Sequence, residues 1–138
     1  MVRRSFVLSA VLVCSLSTGV AAAAVRTVGS GKTYEKPCAA FAAAADGDVI
    51  EIDAGSYDGD VCAITKSNLT IRGKGGRAKI DAAGKNAGGK AIWVVQGNDT
   101  TIEDVELSGC KVPDKNGAGI RQEGKNLTLR RVFLHDNE

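Results

Sequence analysis

The side chains best suited to chemistry lie near the end of the chain. Asp104, Glu106, Arg130, Arg131, His135 and Asp136 bring carboxylates, guanidinium groups and the only imidazole into a short span. Paired carboxylates can donate and accept protons, an imidazole changes charge near neutrality, and arginine neutralises an anionic substrate. Arg131, His135 and Asp136, together with Trp93, are the candidate substrate-contacting residues, and no residue is assigned a catalytic role. The bland alternative carries weight. Charges on an outward strand face are usually only solvated, and a lone histidine at a strand end is more often structural than catalytic.

Other motifs are weaker. Gly29-Ser30-Gly31-Lys32-Thr33 matches the end of a phosphate-binding loop. Arg26 stands where that loop needs its first glycine, and no buried strand precedes it, so the match fails. Three N-x-T triplets begin at Asn68, Asn98 and Asn126. They could be glycan acceptors, but all occupy one phase of a repeat, so corner asparagines in left-handed conformation are the better expectation. Alternation in Ala91-Ile92-Trp93-Val94-Val95 places Ile92 and Val94 inward and Trp93 outward, where Trp93, like Tyr57, could stack on a sugar ring. The cysteine spacing fits no zinc site, since there is no C-x-x-C pair and no second histidine.

Residues 1–24 have the form of an export signal. Arg3 and Arg4 precede an apolar stretch from Phe6 to Leu16, and Ala22-Ala23-Ala24 offers a cleavage site. The apolar stretch is short for a membrane span, and no later segment approaches one. Export predicts a periplasmic or extracellular protein whose folded domain is 25–138. The chain has 18 Lys+Arg against 16 Asp+Glu, and losing Arg3 and Arg4 makes the counts equal. No global basic field for nucleic acid remains. In an oxidising compartment Cys38 and Cys62 could close a loop worth about 3–4 kcal/mol, leaving Cys110 odd. The alternative is three buried thiols.

These groups must be positioned by short strands. Thr33 to Ala45, with Pro37 early and Gly47 just beyond, predicts a short helix with Cys38, Phe41 and Ala45 inward. From Asp48 the apolar period becomes two, with strands expected at Val49 to Asp53, Val61 to Thr65, Leu69 to Arg72, Lys79 to Asp81, Ala91 to Gln96, Thr101 to Leu107, Ile120 to Gln122 and Leu127 to Leu134. Ile102, Val105 and Leu107 recur as Leu129, Val132 and Leu134, displaced by 27 residues, and Ile92 recurs as Ile120, displaced by 28. A sandwich has no reason to hold that phase, whereas a solenoid does. One coil per repeat then sets Glu103 beside Arg130, Asp104 beside Arg131, Glu106 beside Phe133 and Ser108 beside His135.

Val28 to Tyr34, followed by Gly47-Asp48-Val49-Ile50-Glu51-Ile52-Asp53-Ala54-Gly55-Ser56-Tyr57, resembles the opening of the right-handed parallel β-helix, or pectin-lyase-like, superfamily. The resemblance extends more loosely through the N-x-T units. It implies an all-β, right-handed parallel β-helix with a short amino-terminal capping helix. It also implies an exported protein that acts on or binds an acidic polysaccharide, with Ca²⁺ as a cofactor in some members. No catalytic motif of the superfamily is matched. Leu127 to Leu134 reads as an ordinary interior coil without a polar cap. The expectation is therefore an amino-terminal portion, truncated at its carboxyl end, marginal alone and inactive as a fragment. A non-catalytic surface or periplasmic scaffold stays open beside the carbohydrate-active alternative.

Overall fold

The computed structural model describes residues 14, 15, 19 and 21–138, so the signal expected over 1–24 lies largely outside the described residues. The chain is a right-handed parallel β-helix of about four turns. In order it contains β1 (Val25–Val28), α1 (Pro37–Ala43), β2 (Val49–Asp58), β3 (Cys62–Ile64), β4 (Thr70–Asp81), β5 (Ala91–Val95), β6 (Thr100–Glu103), β7 (Val105–Ser108), β8 (Ala118–Gln122), β9 (Leu127–Arg130) and β10 (Phe133–His135). All pairings between these strands are parallel.

Three faces result. The first stacks β1, the start of β2, the start of β4, β6 and β9. The second stacks the ends of β2 and β4 with β7 and β10. The third is β3-β5-β8. Gly55 does not end β2. The strand bends there, with a register shift between Asp53 and Gly55 against β4, so the separate strands expected around Leu69 and Lys79 are one bent strand.

The core follows from stacking like on like. Ile50, Ile71, Ile102 and Leu129 form one inward column, and Tyr57, Ile80, Leu107 and Leu134 form another. Stacked coils bury these side chains against each other, each contributing about 1.5–3 kcal/mol when fully buried. Leu129 and Leu134, in the last coil, remain 42% and 41% exposed.

The expected 27-residue register holds where it was read. Ile102 pairs with Leu129, Glu103 with Arg130, Glu106 with Phe133 and Ser108 with His135. The 28-residue match of Ile92 to Ile120 does not, because Trp93 is the partner of Ile120. A one-residue slip moves every side chain of a strand to its other face. Trp93 accordingly points inward beside Cys62, is 0% exposed, and meets Phe41 edge to face at 5.1 Å. Tyr57 is likewise buried, and its hydroxyl donates to the Asp53 carbonyl at 2.8 Å.

The amino-terminal cover is α1. Ala40, Phe41 and Ala44 are buried there, whereas Ala45 is exposed, because the helix ends at Ala43 rather than Ala45. The Cys38–Cys62 disulfide ties this cover to β3, and Cys110 is a free, buried thiol. Asp48 closes the same end of the molecule. Its buried carboxylate accepts from Ala24 N at 3.0 Å, Ala45 N at 2.9 Å and Arg26 Nε at 2.6 Å. Arg26 in turn donates to the Tyr34 hydroxyl at 3.0 Å.

Corners are also stacked. The left-handed residues at one corner are Asn68, Asp99 and Asn126, with φ of 56°, 55° and 55°. Asn98 is therefore not the corner residue; it sits one position earlier, and its side chain accepts from Lys125 N at 2.9 Å. The amide ladder runs instead from Asn126 Nδ2 to Asp99 Oδ1 at 2.8 Å. Coils approach closely at Gly97, where a Cβ would lie 1.8 Å from the Lys66 carbonyl oxygen.

Candidate functional site

The outer surface of the second face gathers polar side chains into two columns. Alternation along each strand sends Tyr57, Ile80, Leu107 and Leu134 inward, so the residues that follow them point out. Those are Asp58, Asp81, Ser108 and His135, in register on four successive strands. Beside them run Ser56, Lys79, Glu106 and Phe133. Neighbours in each column are about 4.8 Å apart along the stack.

At the far end of these columns His135 is held between two carboxylates. Its Nδ1 lies 2.7 Å from Asp136 and its Nε2 3.2 Å from Glu106. Asp136 first, and then Glu106, holds the imidazole above its ordinary pKa by favouring the charged ring. The ring stacks on Phe133 at 4.4 Å between centroids, and Phe133 is 47% exposed. The Arg77 guanidinium lies 5.8 Å from the centre of the Phe133 ring and 3.7 Å from the Glu106 carboxylate. Lys79 is exposed in the middle of its column and has no ion-pair partner among the described residues.

At the near end the columns run into a cleft of about 510 Å³. Ser56 and Asp58 belong both to the columns and to the cleft lining. The opposite wall comes from the segment before α1, where Ser30, Glu35 and Lys36 stand. Lys36 Nζ donates to the Asp58 carbonyl at 3.0 Å, fixing that wall against the end of β2.

The candidates from sequence are thus divided. His135 and Asp136 come together with Glu106 on the second face. Arg131 sits at a corner, bonded through Nε and an Nη to the Asp104 carboxylate at 2.6 and 2.8 Å. That pairing holds the Asp104 carboxyl below its usual range. Arg130 is paired with Glu103 at 3.1 Å. Trp93 is excluded from any surface role by its burial. Asp58, Asp81 and Lys79 were not anticipated. The signal that could have found them is the repeated apolar–polar dipeptide Tyr57-Asp58, Ile80-Asp81, Leu107-Ser108 and Leu134-His135.

Among the described residues no group of three or more His, Cys, Asp or Glu side chains is gathered to hold a metal ion. No helix among the described residues is long and apolar enough to cross a membrane.

Fold and face together define a parallel β-helix with one solvent-facing sheet lined mainly by polar side chains. Among solved structures, that of a pectin methylesterase in complex with a hexasaccharide has a similar fold, with a TM-score of 0.54 and 19% identity. The match covers 81% of this chain and 46% of that one, so the chain spans less than half the length of that protein. No family profile matches the sequence, and neither does any curated protein.

Proposed function

We propose that this is an exported, carbohydrate-active β-helix protein that binds an acidic polysaccharide along its second face. The observation that carries this is the pair of in-register columns, Asp58-Asp81-Ser108-His135 and Ser56-Lys79-Glu106-Phe133. They offer an extended chain hydrogen-bonding groups at a regular spacing, one unpaired cation at Lys79, and an exposed ring at Phe133. An aromatic face packs against the C–H surface of a sugar ring, and a lysine without a protein partner is available to a uronate. The hexasaccharide complex of the structural neighbour and the Cys38–Cys62 disulfide, a bond favoured in oxidising compartments, support the same proposal.

Binding, rather than turnover, is the role assigned to these residues. On this face Glu106 is engaged by His135, and elsewhere Glu51 is engaged by Arg72, Glu103 by Arg130 and Asp104 by Arg131, whereas Asp58 and Asp81 have no ion-pair partner among the described residues. The same pairing favours the second possibility, a non-catalytic scaffold on which the charges only set register.

Calorimetric titration with oligogalacturonates separates the two. A binding face predicts measurable affinity, weakened by added salt, and reduced about tenfold by Lys79→Glu and by Phe133→Ala. An absence of binding with a correctly folded protein leaves the scaffold.

A further inference from the structure

The cleft at the amino-terminal end of the columns is not simply more of the same surface. We infer that it is a terminal subsite, which receives the last sugar of a bound chain and prefers one without a carboxylate. This rests on the second face being a polysaccharide-binding surface.

The geometry comes first. A chain lying along the columns reaches Ser56 and Asp58 and there meets a wall built by Ser30, Glu35 and Lys36. That wall is fixed. Gly29 N donates to the Tyr34 carbonyl at 2.9 Å, closing the loop, and Lys36 is bonded to the Asp58 carbonyl. Just beyond, the disulfide holds Cys38 to β3. The chain therefore stops at the cleft instead of passing over the capping helix. The volume of about 510 Å³ falls within the roughly 300–1,000 Å³ of small-molecule clefts.

The charge comes second. Glu35, Asp53 and Asp58 line the cleft and Lys36 is the only cation among its lining residues. Lys32 approaches Asp53 at 3.8 Å from outside that lining. Ionised carboxylates only accept hydrogen bonds, so they suit the hydroxyls of a sugar. A terminal uronate would instead set a fourth carboxylate among three. The free cation Lys79 lies one coil further on, in the same column as Ser56. The closed end thus carries three carboxylates to one lysine that is already bonded to the Asp58 carbonyl, and the lysine without an ion-pair partner lies one coil beyond.

The test compares hexagalacturonate with two derivatives in which the carboxyl of one terminal residue, at either end, has been reduced to the alcohol. Affinity is measured by calorimetry, and contact by amide shifts in the full chain. One reduced derivative is expected to bind at least fivefold more tightly than hexagalacturonate and to shift Ser30 and Ser56. Ser56→Trp, which fills the cleft from an exposed position, should erase that difference while the protein keeps its melting temperature. Equal affinities with shifts confined to Lys79 through His135 would overturn the terminal subsite and leave the binding face standing. If none of the three sugars binds, both fall together.

Discussion

Replacing Asp48 by alanine should unlatch the amino-terminal end of the solenoid. The carboxylate is buried and, within the proposed exported domain 25–138, accepts one hydrogen bond from the Ala45 backbone and one from Arg26. Removing it leaves the Arg26 guanidinium, whose side chain is only 22% exposed, with the Tyr34 hydroxyl as its one remaining side-chain partner. Breaking a buried ion pair from one side costs about 3–5 kcal/mol, and the stranded Ala45 donor adds up to roughly 1 kcal/mol if water cannot reach it. A loss of about 4 kcal/mol is a large part of the roughly 5–15 kcal/mol typical of a domain. Thermal melting followed by circular dichroism should move down by roughly 15–20 °C. Adding Arg26→Met to Asp48→Ala should recover part of the loss, because no unpaired charge then remains buried. The pH dependence gives a second readout. The Ala45 N–H, aided by Arg26 and opposed by burial, holds the Asp48 carboxyl below its usual range. Its contribution is therefore present above the unfolded carboxyl pKa near 3.9 and is lost as pH falls through the lower folded value. The alanine variant should lack this acid-side loss. A single-variant melt within about 3 °C of the parent would refute the idea that Asp48 closes the cap.

Gly97→Ala should destabilise by about 3 kcal/mol or more, since its Cβ would fall 1.8 Å from the Lys66 carbonyl oxygen and the two coils would have to part. Chemical denaturation measures this directly, and an unchanged midpoint would mean that the coils do not stack as described. Exchanging Cys38 and Cys62 together for serine should cost about 3 kcal/mol, read as a lower melting temperature that reducing agent no longer affects in the variant. His135 should titrate above 6.5 by NMR, because Asp136 and Glu106 favour its charged form. Its raised value means that the stabilisation is complete below the unfolded pKa and disappears as pH rises through the folded one. Glu106→Gln should lower the measured value, and an unmoved titration would show that the imidazole does not face Glu106.

The later coils were legible in the sequence because their length is constant there. Glu103 and Arg130 are 27 residues apart, and so are Asp99 and Asn126. Earlier coils vary, with Glu51 and Arg72 separated by 21 residues and Ser67 and Asn98 by 31. A single period could not align them, which is why the Asp58–Asp81 step escaped notice and His135 was found without its column. Trp93 shows the limit of alternation within one strand. All five residues of β5 are buried, so polarity gives no clue to which side faces the core, and register against β3 and β8 decides it. The corner at Asp99 was missed because Asn and Asp are both at ease in left-handed conformation, and two such residues adjoin. β1 was unmarked because Arg26, at an inward position, breaks the apolar pattern. Its partner Asp48 lies too far along the chain for a local pattern to show.

The Cys38–Cys62 bond has a directional consequence. In a linear stack, coils are lost from whichever end is least secured. At one end the capping helix and β3 belong to a single covalent ring and cannot separate by thermal fluctuation. Opening at this end therefore cannot proceed by lifting the helix away on its own; the cover and β3 must move as one body or the bond must be reduced. The cleft, whose wall at Lys36 lies two residues before Cys38, is thereby held on the covalently secured part of the stack. A reducing environment would loosen that wall before it touched the columns beyond.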